Sequence, residues 1–204
     1  MIVPSSKDAP TNRYFSIEPE EIADIFTMLD KPSEAQTELL MSLAVDPSAL
    51  SKDWLGNEAT IRSANVEFLP GNRFEFEPDA HGDTLPAIII EAKNEAGDLC
   101  DLVAIRSDGT WALWLGRVAL LGLEQVNAPR ITEHLIVHDT IFDYLNALRK
   151  GIFIFNTDKA SIALECAGAL GTNDVEYGRR LLKDLTRQPL IVVPKPKGRR
   201  SNHG

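Results

Sequence analysis

Residues 78–93 read PDAHGDTLPAIIIEAK and place Asp79, Glu91 and Lys93 in an Asp…Glu-x-Lys order. An aspartate and a glutamate that share one divalent cation can generate a metal-bound water. A lysine beside them can orient that water or stabilise the charge that develops on a phosphate. Such chemistry needs both carboxylates within reach of one ion. Glu91 and Lys93 are two residues apart in a segment of strand character, so they share a face. Asp79 is the difficulty. His81-Gly82-Asp83 is turn chemistry, and these residues are weak strand formers. A hairpin turning there offsets Asp79 from Glu91 by about five residues, roughly 17 Å at ~3.3 Å per residue. One ion cannot bridge that gap, so the expectation is that Asp79 and Glu91 form no metal site.

The remaining candidates are weaker still. His134 and His138 form an HxxxH, which on a helix would bind zinc from one face. The surrounding ITEHLIVHD is rich in β-branched residues and predicts a strand, which would separate the imidazoles by roughly 13 Å at ~3.3 Å per residue. No metal and no cofactor is expected there. GTWALWLG lacks the Lys-Ser/Thr of a phosphate loop, and no GxSxG, GxGxxG or HExxH is present. Trp111 and Trp114 must face opposite sides of one strand. One is expected in the core and the other is a candidate contact residue.

Two resemblances bear on function. The spelling around Asp79, Glu91 and Lys93 is similar to the PD-(D/E)xK nucleases, which would imply a Mg²⁺-dependent nuclease with those three residues as its catalytic set. LPAIIIEAKNEAGDLCDLVAI resembles the β-hairpin that precedes the Toprim domain of bacterial and phage primases. GIFIFNTDKASIALECAGA resembles that domain's first strand and helix. Where the Toprim family carries its catalytic glutamate this chain has Asn156-Thr157-Asp158, and where it carries Asp-x-Asp this chain has PKPKGRR. The resemblance implies a degenerate nucleic-acid-processing module that has lost its metal-dependent activity.

The elements that would position these residues form an α+β chain with an N-terminal helical hairpin, a central antiparallel β-meander and a C-terminal α/β segment. Residues 1–15 read as a flexible arm. Residues 16–193 read as a single domain, helical over 16–47, β over 61–116 and α/β over 131–193. Pro19 with Glu20 and Glu21 opens a first helix, and Ser33 with Gln36 has capping-box spacing for a second, whose Leu39, Leu40 and Leu43 form the apolar face. Alternation around Val66, Phe74, Ile89 and Val103, with turn residues between, predicts the meander. Thr140 caps a third helix, 152–155 is a short strand, and helices near 158–170 and 174–187 follow, the latter capped by Asn173. A last strand spans 190–193.

Charge divides the chain. It carries a net −9, but residues 191–204 hold Lys195, Lys197, Arg199 and Arg200 and no acid, which leaves −13 on residues 1–190. An acidic body repels nucleic-acid phosphate and a basic tail attracts it. Residues 194–204, with Pro194 and Pro196, are expected to be disordered, and to serve either as a solubilising end or as a tether offering the four cations to nucleic acid or an acidic protein partner. No apolar run is long enough for a membrane span, and no signal-peptide core opens the chain. Cys100 and Cys166 read as two buried thiols. A cytoplasmic, non-catalytic binding or accessory protein of bacterial or phage type is the expectation.

Overall fold

The computed structural model describes residues 17–185 except 54, 59, 78–81 and 129–133. The expected arm, last strand and tail lie outside them. The fold is α+β, with five α-helices and nine strands among the described residues. The helices are α1 (Pro19–Met28), α2 (Glu34–Ser42), α3 (Ile141–Asn146), α4 (Thr157–Leu164) and α5 (Val175–Leu185). The expected capping box at α2 forms, and α1 carries one outside the sequence expectation. Glu18 and Glu21 exchange bonds at α1, and Ser33 and Gln36 do so at α2.

The first five strands are β1 (Arg62–Leu69), β2 (Arg73–Phe76), β3 (Leu85–Lys93), β4 (Leu99–Ile105) and β5 (Trp111–Leu113). Each link of the expected meander is antiparallel except one. β2 and β3 do not pair with each other; both pair with β1, on its two sides. The ribbon then closes into a barrel in the order β1-β2-β5-β4-β3. Closure rests on a short parallel seam between β2 and β5, with Arg73 opposite Leu113. The side chain of Arg73 completes that seam. Its Nε donates to the carbonyls of Leu113 and Trp114, and its Nη2 donates to Trp114.

Two-residue periodicity splits the barrel residues into two sets. Val66, Phe74, Ala87, Ile89, Leu102, Ala104, Ala112 and Trp114 come from all five strands and cluster together, so they fill the interior. Ile22 and Phe26 of α1 join that cluster and plug the barrel. Ile88, Ile90, Val103, Ile105 and Leu113 face outward and form a second cluster with Leu40 of α2, Tyr144 and Leu145 of α3, and Phe153. The two N-terminal helices therefore serve different cores. Only Leu40 of the expected α2 face is buried, and Leu39 lies 41% exposed.

The second sheet contains β6 (Leu120–Leu121), β7 (His134–His138), β8 (Ile152–Ile154) and β9 (Ala169–Thr172) in the order β6-β8-β7-β9. β8 and β9 run parallel to β7 on its two sides. α3 packs on the barrel side of this sheet, while α4 and α5 contribute Ala160, Leu164 and Leu181 to a third cluster on the other. The segment similar to a first strand and helix is β8 and α4, which is the second strand-helix unit here. β9 falls where the sequence predicts the end of a helix. Gly168 adopts φ +72, which ends helical backbone and frees 169–172 to pair with β7. The helix after it is capped by Asp174, whose carboxylate accepts from Tyr177 N at 2.6 Å, and not by Asn173.

Candidate functional site

Among the described residues, two hollows open around the junction of barrel and sheet and another at the second sheet. The first contains Glu91 and Lys93, which β3 delivers to one face as expected. They line a cavity of about 50 Å³ with Asp53, Glu124, Tyr144 and Arg149. Asp79 lies outside the described residues. Among the described residues, the carboxylates that line this cavity with Glu91 are Asp53 and Glu124, which sequence spacing does not single out. Among the described residues, no three His, Cys, Asp or Glu side chains are grouped to hold a metal ion.

Arg149 is the unusual member of that cavity. Leu148 and Arg149 both adopt left-handed backbone, at φ +53 and +62. Such conformations cost of order 1–3 kcal/mol each in non-glycine residues. A clamp holds them. Arg149 N donates to Tyr144 O at 2.9 Å, and Gln125 Nε2 donates to Arg149 O at 2.8 Å. Gly151 N donates to Gln125 Oε1 at 2.8 Å, and His138 Nε2 donates to Lys150 O at 2.8 Å. Glycine is required at 151, where φ is +98 and a Cβ would lie 2.6 Å from Ile136 O. The guanidinium is thereby held inside, where Nε and Nη2 are buried without a hydrogen-bond partner among the described residues. Burial pulls its pKa down, and Tyr144, Glu91 and Asp53 act against that. Burial likewise pushes the Tyr144 hydroxyl up. A space of this size suits a few waters bridging Arg149 to the carboxylates.

The second hollow, about 180 Å³, lies beyond the carboxyl ends of β7 and β8 and is lined by Asp139, Thr157, Tyr177, Arg180 and Asp184. Ligands of open α/β sheets bind at such positions, where successive crossovers leave on opposite faces. Two of its charges engage each other. Arg180 pairs with Asp139 at 3.3 Å and lies over the Tyr177 ring at 5.6 Å. The Arg180 and Asp139 side chains are 67% and 42% exposed, so the pair contributes little to stability.

The third hollow is the roomiest of the three, about 250 Å³, and sits where the β2–β5 seam meets the end of β8. Trp111 and Phe155 form its floor, with ring centroids 4.5 Å apart. Asn72, Arg73, Asn156 and Lys159 supply its polar lining, and among the described residues no aspartate or glutamate lines it. Trp111 on β5 is the half-buried tryptophan, and Trp114, one residue past that strand, is the core one, at 7% exposure. That division agrees with the alternation read from the sequence.

Asp101 fixes the backbone beside this hollow. It is fully buried, and its carboxylate accepts from the amides of Leu102 and Leu115 at 2.8 Å each and of Arg117 at 2.7 Å. Burial pushes its pKa up, opposed by the three amides and by Arg73. Nothing in the one-dimensional pattern distinguishes Asp101 from a solvent-facing strand residue.

Both histidines lie on β7. His134 is exposed, and His138 is buried and spends Nε2 on the Arg149 clamp. The thiols differ from expectation. Cys100 is half-buried, while Cys166 is exposed because α4 ends at Leu164. Lys195, Lys197, Arg199 and Arg200 lie outside the described residues, and among the described residues no helix is long and apolar enough to cross a membrane. Comparison of the chain with protein-family models, with curated proteins and with solved structures finds no match.

Proposed function

We propose that this chain is a non-catalytic binding or accessory protein that engages a polyanionic partner at the barrel–sheet junction. The observation that carries the reading is the seam hollow. On a chain of net −9, its lining combines an aromatic floor with Arg73 and Lys159 and, among the described residues, contains no carboxylate. Local charge of this kind attracts anions even on an acidic body, because fields from distant surface charges are screened over about 8–10 Å. The basic residues of 194–204 would add a sequence-independent attraction to the same partner.

A second reading, a Mg²⁺-dependent nuclease, is supported by one observation. Glu91 and Lys93 line a common cavity with two further carboxylates, Asp53 and Glu124. One experiment separates the two. Single-stranded and duplex DNA and RNA, and polyglutamate, are incubated with the full chain with and without Mg²⁺. Binding without cleavage is the expected result. Mg²⁺-dependent cleavage that Glu91→Ala abolishes overturns the non-catalytic reading.

A further inference from the structure

We propose that the seam hollow is a nucleotide subsite for single-stranded nucleic acid, with a base stacked on Trp111, flanked by Phe155 whose ring plane is inclined 53° to it, and the adjoining phosphate at Lys159. This rests on the reading of the chain as a polyanion-binding protein and names the class of its ligand.

Shape and chemistry both select it. Phe153, 6% exposed, packs edge-on behind Trp111 and Phe155 at centroid distances of 6.3 and 5.3 Å, so the two outer rings are braced from within. Rings held this way lose little freedom when a base stacks on them. The hollow of about 250 Å³ accommodates a planar base. Asn72 and Asn156 place amide groups on its wall, suited to base edges or sugar hydroxyls. Lys159 presents an exposed ammonium on the first turn of α4. A duplex keeps its bases stacked inside and cannot offer one to a recessed aromatic floor, whereas a single strand can. An acidic peptide would satisfy Lys159 but has no use for Trp111 and Phe155.

The test is fluorescence anisotropy of a labelled oligothymidylate with the full chain at low salt, with duplex DNA, polyglutamate and inorganic polyphosphate as competitors. Lys159→Glu, a substitution at an exposed position, should weaken single-strand binding about tenfold or more. Trp111→Leu should weaken it by roughly 5- to 150-fold, the range for losing one stacked base. Lys159→Glu guards against misreading a Trp111 variant that merely folds poorly. Binding that is equally tight to duplex, or unchanged in Lys159→Glu and in a folded Trp111→Leu, overturns the subsite. Polyglutamate binding that Lys159→Glu weakens, with no oligothymidylate binding, also overturns it but leaves the polyanion reading standing. No binding to any of these polyanions ends both.

Discussion

Replacing Asp101 should expose how much of the fold, and of the hollow beside it, hangs on one carboxylate. Asp101→Ala leaves the amides of Leu102, Leu115 and Arg117 without their acceptor. An orphaned buried amide costs about 1–3 kcal/mol. Water admitted to the new space recovers part of that, so the expected loss is about 3–5 kcal/mol, a large share of the roughly 5–15 kcal/mol that holds a domain folded. Asp101→Asn is milder. Its remaining oxygen can serve Leu102 and Leu115, but its amide would face the Arg117 N–H donor to donor, and a loss of about 2 kcal/mol is expected. The assay is urea unfolding at neutral pH. With a slope of about 2–3 kcal/mol/M, Asp101→Ala should lower the midpoint by roughly 1–2.5 M and Asp101→Asn by about 0.7–1 M. The two variants should rank in that order. A midpoint for Asp101→Ala within about 0.3 M of the parent would refute the claim that the bonds from Leu115 and Arg117 fasten β4 to the chain after β5.

Two further perturbations test the interior. Arg149→Met removes a buried cation whose Nε and Nη2 have no partner among the described residues and keeps a side chain of similar length. It should leave stability unchanged or raise it by about 1–3 kcal/mol in the same urea assay, and a drop of more than about 2 kcal/mol would show that the guanidinium is well satisfied. The thiols should separate by reactivity. Exposed Cys166 should react rapidly with a disulfide reagent at pH 8. Cys100, whose thiol burial pushes up to about 11, should react only slowly until the protein is unfolded. The linkage has a definite sign. An acid whose pKa is raised on folding ionises first in the unfolded chain. The Cys100 contribution is therefore fully present below about pH 9 and is lost as pH rises toward about 11, and the urea midpoint should fall across that window.

Local signals in the sequence carried much of the fold. Ser33-x-x-Gln36 and Thr140-x-x-Asp143 are caps that form within four residues, so distant chain has no say in them. The apolar alternation of 87–92 and 99–105 likewise specified β3 and β4, because both faces of that hairpin are covered. Barrel closure was not legible. It depends on β1 pairing with β3 and on the Arg73–Leu113 seam, contacts between residues far apart in the chain whose side-chain pattern is the same with or without closure. β9 was missed because Ala169-Leu170-Gly171-Thr172 has weak strand preference and is a strand only through β7 beside it. The sites followed the same division. Glu91 and Lys93 were visible as a pair, since two-residue spacing guarantees a shared face. Asp53, Glu124 and Arg149 reach that cavity from three separate connections between the strands and helices. Phe155 and Lys159 meet Trp111 only because β8 ends against the barrel seam.

The central claim, binding at the seam hollow without catalysis, is tested most directly by following the tryptophan indole N–H resonances while a short oligothymidylate is added in the presence of Mg²⁺. The account predicts that the Trp111 resonance shifts and saturates, that the Trp114 resonance inside the barrel stays in place, and that the oligonucleotide remains intact. An unmoved Trp111 resonance at saturating oligonucleotide, or cleavage of the oligonucleotide during the titration, would contradict it.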